Sequence, residues 1–145
     1  MNIPLPPITF IVSFAISLIL YYIYPIVRYP AIYFLTIPLV LLGLLIAISS
    51  LYLILKNKTT IDPTKVPTVL IKSGIFSISR NPIYLSMLII LLGLDFYFFS
   101  LVSFVNIIIF FIVINYYIIP KEESIIISQF KREYKEYISR VRRWI

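Results

Sequence analysis

The 145-residue sequence contains no cysteine and no histidine. Disulfides, zinc sites of the usual ligand types and catalytic groups that need His or Cys are therefore excluded, and we expect no metal site. Charge is scarce as well, since 13% of residues are charged and only 6 are acidic against 13 basic. Hydrophobic residues make up 61% of the chain, and its mean hydropathy is +1.00. This composition excludes a soluble core and predicts one integral membrane domain over residues 1–145.

Four uncharged runs predict an all-α, multi-pass transmembrane helical bundle of about four spans. The runs 8–27 and 31–55 are long enough to cross a bilayer. The run 82–94 is short, so by length alone it is either a short span or a re-entrant segment. The run 96–119 is of full length, and we interpret the last two runs as a helical hairpin in which Asp95 caps the second helix.

The basic residues lie almost entirely in two segments. Five fall in the loop 56–80 and seven in the tail 121–145, so 12 of the 13 share one side of the membrane and Arg28 lies on the other. This bias predicts that both termini are cytoplasmic. The net charge of +7 indicates attraction to anionic membrane lipids and not to nucleic acid, because no groove-reading helix or aromatic-basic stripe stands apart from the spans.

The tail 121–144 has the pattern of an amphipathic helix. Apolar residues recur every three or four positions, at Ile126, Phe130, Tyr134, Tyr137, Val141 and Trp144. Such a helix either lies on the membrane surface or packs as a lid over a cavity, and the pattern is compatible with both. The sequence leaves the oligomeric state open.

Most polar groups that this chain can bring together lie between Ser73 and Tyr84. Asn81 is a favourable N-cap and Pro82 suits the first helical position, so a helix is predicted to begin at Pro82. The N-terminus of this helix and the positive charge of Arg80 would both favour the binding of an anion. The helical hairpin would bring Glu122 and Glu123 back beside this stretch. The two acids either stabilise the first turn of the tail helix or bind the cationic parts of a ligand.

Two separated patterns carry a resemblance to a known family. The first is S-G-x-[FY]-x-x-x-R-[HN]-P-x-Y over residues 73–84, and the second is Glu122-Glu123-x-x-Ile126-x-x-x-Phe130-x-x-x-Tyr134-x-x-Tyr137-x-x-x-Val141-x-Arg143-Trp144. Over residues 67–145 the chain resembles the isoprenylcysteine carboxyl methyltransferase family and the related phospholipid methyltransferases. The resemblance implies an integral membrane enzyme that uses S-adenosylmethionine.

The resemblance also implies site residues. Cofactor contacts are expected from Thr68, Val69, Leu70, Ile71, Phe76, Asn81, Pro82, Ile83, Tyr84 and Glu122. We add Glu123, because acidic side chains complement the ammonium and sulfonium of the cofactor. Arg80, which would hold a carboxylate of cofactor or substrate, and Tyr84 are the expected catalytic residues.

This sequence departs from the family pattern at several positions. Asn81 replaces a common His, Lys131 replaces a usual Gly, and Arg142 stands where Pro is frequent. The arginine that prenylcysteine-specific members carry four residues before the glutamate falls at Ile118. The substrate contact characteristic of those members is therefore missing.

The absence of His limits the acceptor chemistry. A carboxylate acceptor is already deprotonated at neutral pH, whereas an ammonium must lose a proton, for which Glu122, Glu123, Tyr84 or a substrate phosphate would be the acceptor. The sequence therefore favours carboxyl O-methylation of a lipophilic, isoprenylcysteine-like substrate that enters from the bilayer. Phospholipid N-methylation and a non-catalytic membrane scaffold of the same fold are the alternatives.

Overall fold

A computed structural model describes residues 6–23, 33–62, 65–98 and 101–145. Its helices are α1 (Pro6–Ile23), α2 (Tyr33–Lys56), α3 (Pro82–Phe98), α4 (Leu101–Val113) and α5 (Ile119–Arg140), and a 3₁₀ turn (Gly74–Ser77) precedes α3. No strand occurs in these described ranges, so the predicted all-α class is confirmed. The predicted connection around Arg28 lies outside the described residues.

Three helical segments are long and apolar enough to cross a membrane. They are α1, α2 and the continuous helix from Ser103 to Arg140, while α3 is a shorter apolar helix. The predicted start of α3 at Pro82 is confirmed, and the backbone carbonyl of Asn81 accepts a hydrogen bond from the amide of Leu85 at 3.0 Å. The short run thus forms a complete helix beside the longer ones.

Helices α2 and α3 approach closely through one glycine on each helix. A Cβ atom at Gly43 would lie 3.0 Å from the carbonyl oxygen of Ser86, and one at Gly93 would lie 3.2 Å from the backbone nitrogen of Val40. Without side chains at these two points, the helix backbones can pack at short distance, which is how helices associate in lipid. This packing fixes α3, and with it the polar stretch that precedes α3.

The last apolar run and the tail form one helix, whereas the sequence predicted a separate tail helix from residue 121. Helix α4 continues through a π-helical turn (Ile114–Ile118) directly into α5. Pro120 lies two residues beyond this turn. Because proline lacks an N–H and its ring crowds the carbonyl one turn earlier, the wider π turn lets the helix pass through it. Residues 101–120 are the apolar part, and charged residues begin at Lys121.

The prediction that Asp95 caps a new helix is wrong. Helix α3 runs through Asp95 to Phe98, and the Asp95 side chain is fully buried. The hydroxyl of Ser17 in α1 lies beside it. A charged residue at the end of an apolar run indicates an interface when nothing else is known, but here the residue is buried beside a polar group of a neighbouring helix.

The main hydrophobic core lies between α3, α4 and the π turn. Its buried members are Tyr84, Leu91, Ile107, Phe110, Ile114, Ile118 and Ile119. Tyr84 and Ile119 stand at one end of this core, where α3 begins and α5 begins. The core therefore fixes the starts of both helices against each other, and the polar groups that follow α4 meet those that precede α3.

Candidate active site

The basic stretch and the glutamate pair meet at this end of the bundle, as the sequence predicts. Arg80 Nη2 lies 3.3 Å from Glu123 Oε1, and the two side chains are 13% and 14% exposed. Because both charges are largely withdrawn from water, their interaction is stronger than that of an ion pair on the surface. The guanidinium of Arg80 also lies over the ring of Tyr134, 5.9 Å from its centroid.

A second pair joins α3 to α5. The hydroxyl of Tyr84 donates a hydrogen bond of 2.8 Å to Glu122 Oε2, and Tyr84 is 5% exposed. Glu122 lies just beyond the apolar part of its helix, where burial raises the pKa of its carboxyl group. The hydrogen bond from Tyr84 acts in the opposite direction, and the nearby charge of Glu123 raises the pKa further. Glu122 is therefore a carboxyl group that can take up a proton above the usual pH range of glutamate.

Arg143 holds the other glutamate from the opposite side. Its Nη2 lies 2.6 Å from Glu123 Oε2, and its Nη1 donates to the Asn115 carbonyl at 3.2 Å and to Asn115 Oδ1 at 3.3 Å. Trp144 Nε1 donates to the same Asn115 Oδ1 at 3.0 Å. Asn115 belongs to the π turn, a feature often found at functional sites. Glu123 is thus held between Arg80 and Arg143, and these two positive charges balance its negative charge.

The segment 141–145, which we term the terminal strap, crosses over the basic stretch. The carbonyl of Arg142 accepts from the backbone amide of Arg80 at 3.1 Å, and the carbonyl of Arg143 accepts from Asn81 Nδ2 at 3.0 Å. Ser79 Oγ also donates to the Arg143 carbonyl, at 3.4 Å. The strap therefore ties the entrance of α3 to the end of α5.

The inner face of α5 covers the loop ahead of Arg80. The buried residues Tyr134 and Tyr137 of α5 and Val141 of the terminal strap pack against Leu70 of the loop and against Ile126 and Phe130. The hydroxyl of Tyr137 donates to the carbonyl of Phe76. Burial raises the pKa of Tyr137 to about 12 and raises that of Tyr134 too, so both remain neutral hydrogen-bond donors at physiological pH. The sequence was compatible with a helix on the membrane surface and with a lid over a cavity. In the structure the amphipathic helix packs over the loop, as a lid does.

The lid bends at one residue. Lys131 has backbone angles of φ 7° and ψ −81°, outside the helical region, and it lies directly after the packed Phe130. The sequence places Lys131 where the resembled family usually has Gly. The bend directs Tyr134 and Tyr137 back towards the loop.

Two cavities lie at this end of the bundle, and the lid covers the smaller one. The first, of about 110 Å³, is bounded by the loop and α5 and includes Val69, Leu70, Ile71, Glu123, Tyr134 and Tyr137 in its lining. The second, of about 410 Å³, has Pro6, Pro7 and Ile8 of α1 and Met87 of α3 in its walls. They share the lining residues Ile54, Thr60, Asp62, Phe76, Arg80, Asn81 and Glu122. The two cavities therefore adjoin at the polar groups described above.

The predicted site residues divide between these cavities. Val69, Leu70, Ile71 and Glu123 line only the smaller one, while Pro82, Ile83 and Tyr84 line only the larger one. Phe76, Arg80, Asn81 and Glu122 line both. Thr68 lines neither; its amide donates to Thr59 Oγ1 at 3.1 Å and its hydroxyl to the Lys58 carbonyl at 3.2 Å, which holds the loop in place. Their roles in binding and catalysis remain predictions.

Sequence reasoning missed several residues that build the site. Asn115 lay unnoticed in an apolar run, although a lone amide within a membrane segment is itself a signal. Arg143 was quoted only as part of the family pattern, and Tyr134 only as a member of an apolar stripe. Asp62, which lines both cavities, stood among loop residues with no motif around it. Ile118, where prenylcysteine-specific relatives have arginine, is a buried core residue.

Comparisons with known proteins agree with this geometry. The family model described as phospholipid methyltransferase matches residues 31–133, which is most of the chain. An uncharacterized protein of Haemophilus influenzae is 40% identical over 62 residues, 43% of this chain and 98% of the relative. No solved structure matches the chain. The matched range includes Arg80, Tyr84 and both glutamates, so the resemblance noted in the sequence is confirmed: the chain belongs to the phospholipid methyltransferase family, whose members are membrane methyltransferases.

Proposed function

We propose that this protein transfers a methyl group from S-adenosylmethionine to the amine of a lipid headgroup. The observation that carries the proposal is the Tyr84–Glu122 pair, which stands where the two cavities adjoin. Glu122 lines both cavities, whereas the charge of Arg80 is balanced by Glu123 at 3.3 Å and that of Asp62 by Lys65 at 3.8 Å. A lining of this charge favours a cationic acceptor over an anionic one.

The residues present fit the cofactor that this family usually uses. Arg80 Nε is a buried donor without a hydrogen-bond partner in the described part of the chain, and it would suit the carboxylate of S-adenosylmethionine. Glu122 would attract its ammonium, and the aromatic faces of Phe76 and Tyr134 offer contacts to its cationic and apolar parts. When bound, the cofactor supplies an electrophilic methyl group on a positively charged sulfur.

The larger cavity suits the acceptor. Its walls include Ile8 of α1 and Met87 of α3, two apolar helices, so a lipid could reach it sideways from the bilayer. Two acyl chains would remain among the helices while the polar headgroup enters the part lined by Asp62 and Glu122. The acceptor is thereby held facing the cofactor, and alignment is the main requirement of an in-line methyl transfer.

Glu122 is the group that would prepare the acceptor. An ammonium cannot attack until it loses a proton, and the raised pKa of Glu122 makes this carboxylate a better proton acceptor than an ordinary one. Tyr84 orients the carboxylate through its hydrogen bond of 2.8 Å. The lid residues Tyr134 and Tyr137 exclude water from the smaller cavity.

Carboxyl O-methylation of an isoprenylcysteine-like lipid is the second candidate. It is favoured by the unpartnered Nε of Arg80, which could hold an acceptor carboxylate in place of that of the cofactor. This reaction would need no proton acceptor, so it would be insensitive to Glu122 as a base.

We also infer that the site faces the cytoplasm. Residues 56–80 and 121–145 hold 12 of the 13 basic residues, and both segments build the site. Both termini would then be cytoplasmic, on the side where S-adenosylmethionine is made available by cellular metabolism.

The test uses the full chain in lipid nanodiscs with S-adenosylmethionine labelled in its methyl group. Phosphatidylethanolamine and a prenylcysteine analogue are offered separately, and treatment with base distinguishes a methyl ester, which releases methanol, from a methylamine. We expect label in phosphatidylethanolamine that resists base. Label in the prenylcysteine analogue alone, released by base, would establish the second candidate.

Glu122→Gln tests the proton acceptor. We expect it to lower the rate of amine methylation by about 10²-fold, the usual effect of losing a general base. Glu136→Gln is the matched control, because Glu136 is an exposed carboxylate that pairs only with Arg132 on the same helix among the contacts described. If calorimetry detects no binding of S-adenosylmethionine or S-adenosylhomocysteine to wild type, the protein is a scaffold of the same fold and the proposal fails.

A further inference from the structure

A cluster of buried oxygen atoms lies inside the helix bundle, away from both cavities. Contacts join Ser13 and Ser17 of α1, Asp95 of α3 and Asn106 of α4, and Ser103 lies one helical turn before Asn106 on α4; the exposures of these five residues range from 0% to 8%. Asp95 follows the first residue of α3 by 13 positions, which corresponds to roughly 20 Å along the helix. No member lines either cavity. The cluster is therefore a feature separate from the candidate active site.

The only amide in the cluster is fully engaged. Asn106 Nδ2 donates to the Ser13 carbonyl at 2.7 Å and to Ser17 Oγ at 3.0 Å. A side-chain amide carries two N–H groups, so Asn106 has none left for a neighbour. Asn106 thus fixes α4 against α1 and orients the oxygen of Ser17 without supplying a donor to Asp95.

Asp95 is left with an uncompensated carboxyl group. It is 0% exposed, and neither of its oxygens has a hydrogen-bond partner in the structure described. The Ser17 hydroxyl is the polar group beside Asp95 and interacts with its carboxyl group. Ser103, also 0% exposed, has a hydroxyl oxygen without a partner as well.

Among the described residues of the helices that carry this cluster, no basic side chain balances Asp95. The described residues of α1, α3 and α4 include no Lys or Arg. An isolated carboxylate buried among apolar helices costs far more free energy than the bundle could supply, so either a proton or another cation neutralises it. Hydroxyl and carboxylate oxygens are the ligands that hard metal cations prefer.

We propose that this cluster is a binding site for a monovalent metal cation, with Na⁺ as the ion that it fits. The single negative charge of Asp95 balances one positive charge, whereas a divalent cation would leave a net charge buried in the bundle. Asp95 supplies the anionic ligand, and the hydroxyls of Ser17 and Ser103 supply neutral oxygens. The ion would join α1, α3 and α4 and so stabilise the bundle.

The experiment measures binding of radioactive ²²Na⁺ and thermal unfolding with the full chain in detergent. We expect saturable ²²Na⁺ binding that unlabelled Na⁺ displaces and choline does not, and a melting midpoint that rises with NaCl but not with choline chloride at the same ionic strength. Asp95→Asn should abolish both effects. Glu133→Gln, which removes an exposed carboxylate, should retain both.

Ser103→Ala keeps the proposal testable if Asp95→Asn does not fold. It removes one neutral ligand without introducing charge, and we expect it to weaken Na⁺ binding about tenfold or more while the protein still unfolds cooperatively. A wild-type protein that binds no ²²Na⁺ would overturn the proposal and indicate that a proton neutralises Asp95. Retention of Na⁺ binding in Asp95→Asn would overturn it too, since the ion would then lie elsewhere.

Discussion

Arg143 is the residue on which the position of Glu123 most depends. It contacts both carboxylate oxygens of Glu123, at 3.4 and 2.6 Å, and anchors itself on Asn115. We expect Arg143→Gln to lower the stability by about 1.5–3 kcal/mol, because hydrogen bonds to a largely buried charge are lost. Arg143→Lys should not restore it, since lysine cannot contact both oxygens in the planar geometry of arginine. Thermal unfolding measures the first effect, and full stability of the lysine variant would contradict the second.

Because the pKa of the Glu122 carboxyl group is raised, both the stability of the protein and its affinity for a cationic ligand should depend on pH. Burial raises the pKa of this carboxyl group, so in the ligand-free protein its contribution to stability is present at low pH and declines as the pH rises through the raised pKa. A cationic ligand reverses the preference, because it stabilises the ionised carboxylate. Affinity for S-adenosylmethionine should therefore increase as the pH rises through this range, with release of a proton.

Calorimetry in buffers of different ionisation enthalpy measures that proton. In Glu122→Gln the proton release should disappear and the affinity should vary less with pH. Unchanged proton release in this variant would assign the effect to another group. The exposed Glu136 again provides the control, since Glu136→Gln should behave as wild type.

At the scale of the helices, the contact of α2 with α3 depends on Gly93. Its added Cβ would meet Val40 at the backbone nitrogen, 3.2 Å away, which cannot move as a side-chain tip can. We expect Gly93→Ala to destabilise the protein by about 1–3 kcal/mol through overpacking. Leu45→Ala, on the outward face of α2, is the control because this side chain is 63% exposed. Equal melting midpoints for the two variants would contradict the assigned packing.

Helix boundaries were predictable where the signal is local. Asn81-Pro82 specifies the start of α3 by chain geometry alone, and that prediction is confirmed. The predictions at Asp95 and Pro120 were wrong because each residue type commonly marks a helix boundary, whereas the surrounding structure lets the helix continue here. Asp95 is buried beside Ser17 of α1, and Pro120 is accommodated by the π turn before it. Neither accommodation can be read from the neighbouring residues.

At the scale of the whole molecule, the proposed orientation predicts labelling. The chain contains no cysteine, so a single introduced thiol gives a signal without background. Ser139→Cys on the exposed face of α5 should react with a membrane-impermeant maleimide only after cells are permeabilised, whereas Arg28→Cys should react in intact cells. The opposite pattern would invert the topology and place the site outside the cytoplasm.

The meeting of Arg80 with the glutamates was predictable from the order of the helices, because a hairpin returns the chain to the side from which it left. The arrangement around it was not. Tyr134 and Arg143 take part because α5 bends at Lys131 and the terminal strap folds back, and both features depend on contacts between distant segments. The proposal of an amine acceptor rests on the charges that those contacts balance, which is why it differs from the preference drawn from sequence alone.

The terminal strap also constrains how the protein matures. It follows in sequence every element that it holds, so it is synthesised after α1 to α5. Until it folds back, Arg80 and Glu123 lack the carbonyl and guanidinium groups that position them. The geometry around these two residues is therefore completed by a segment that is made later than either of them.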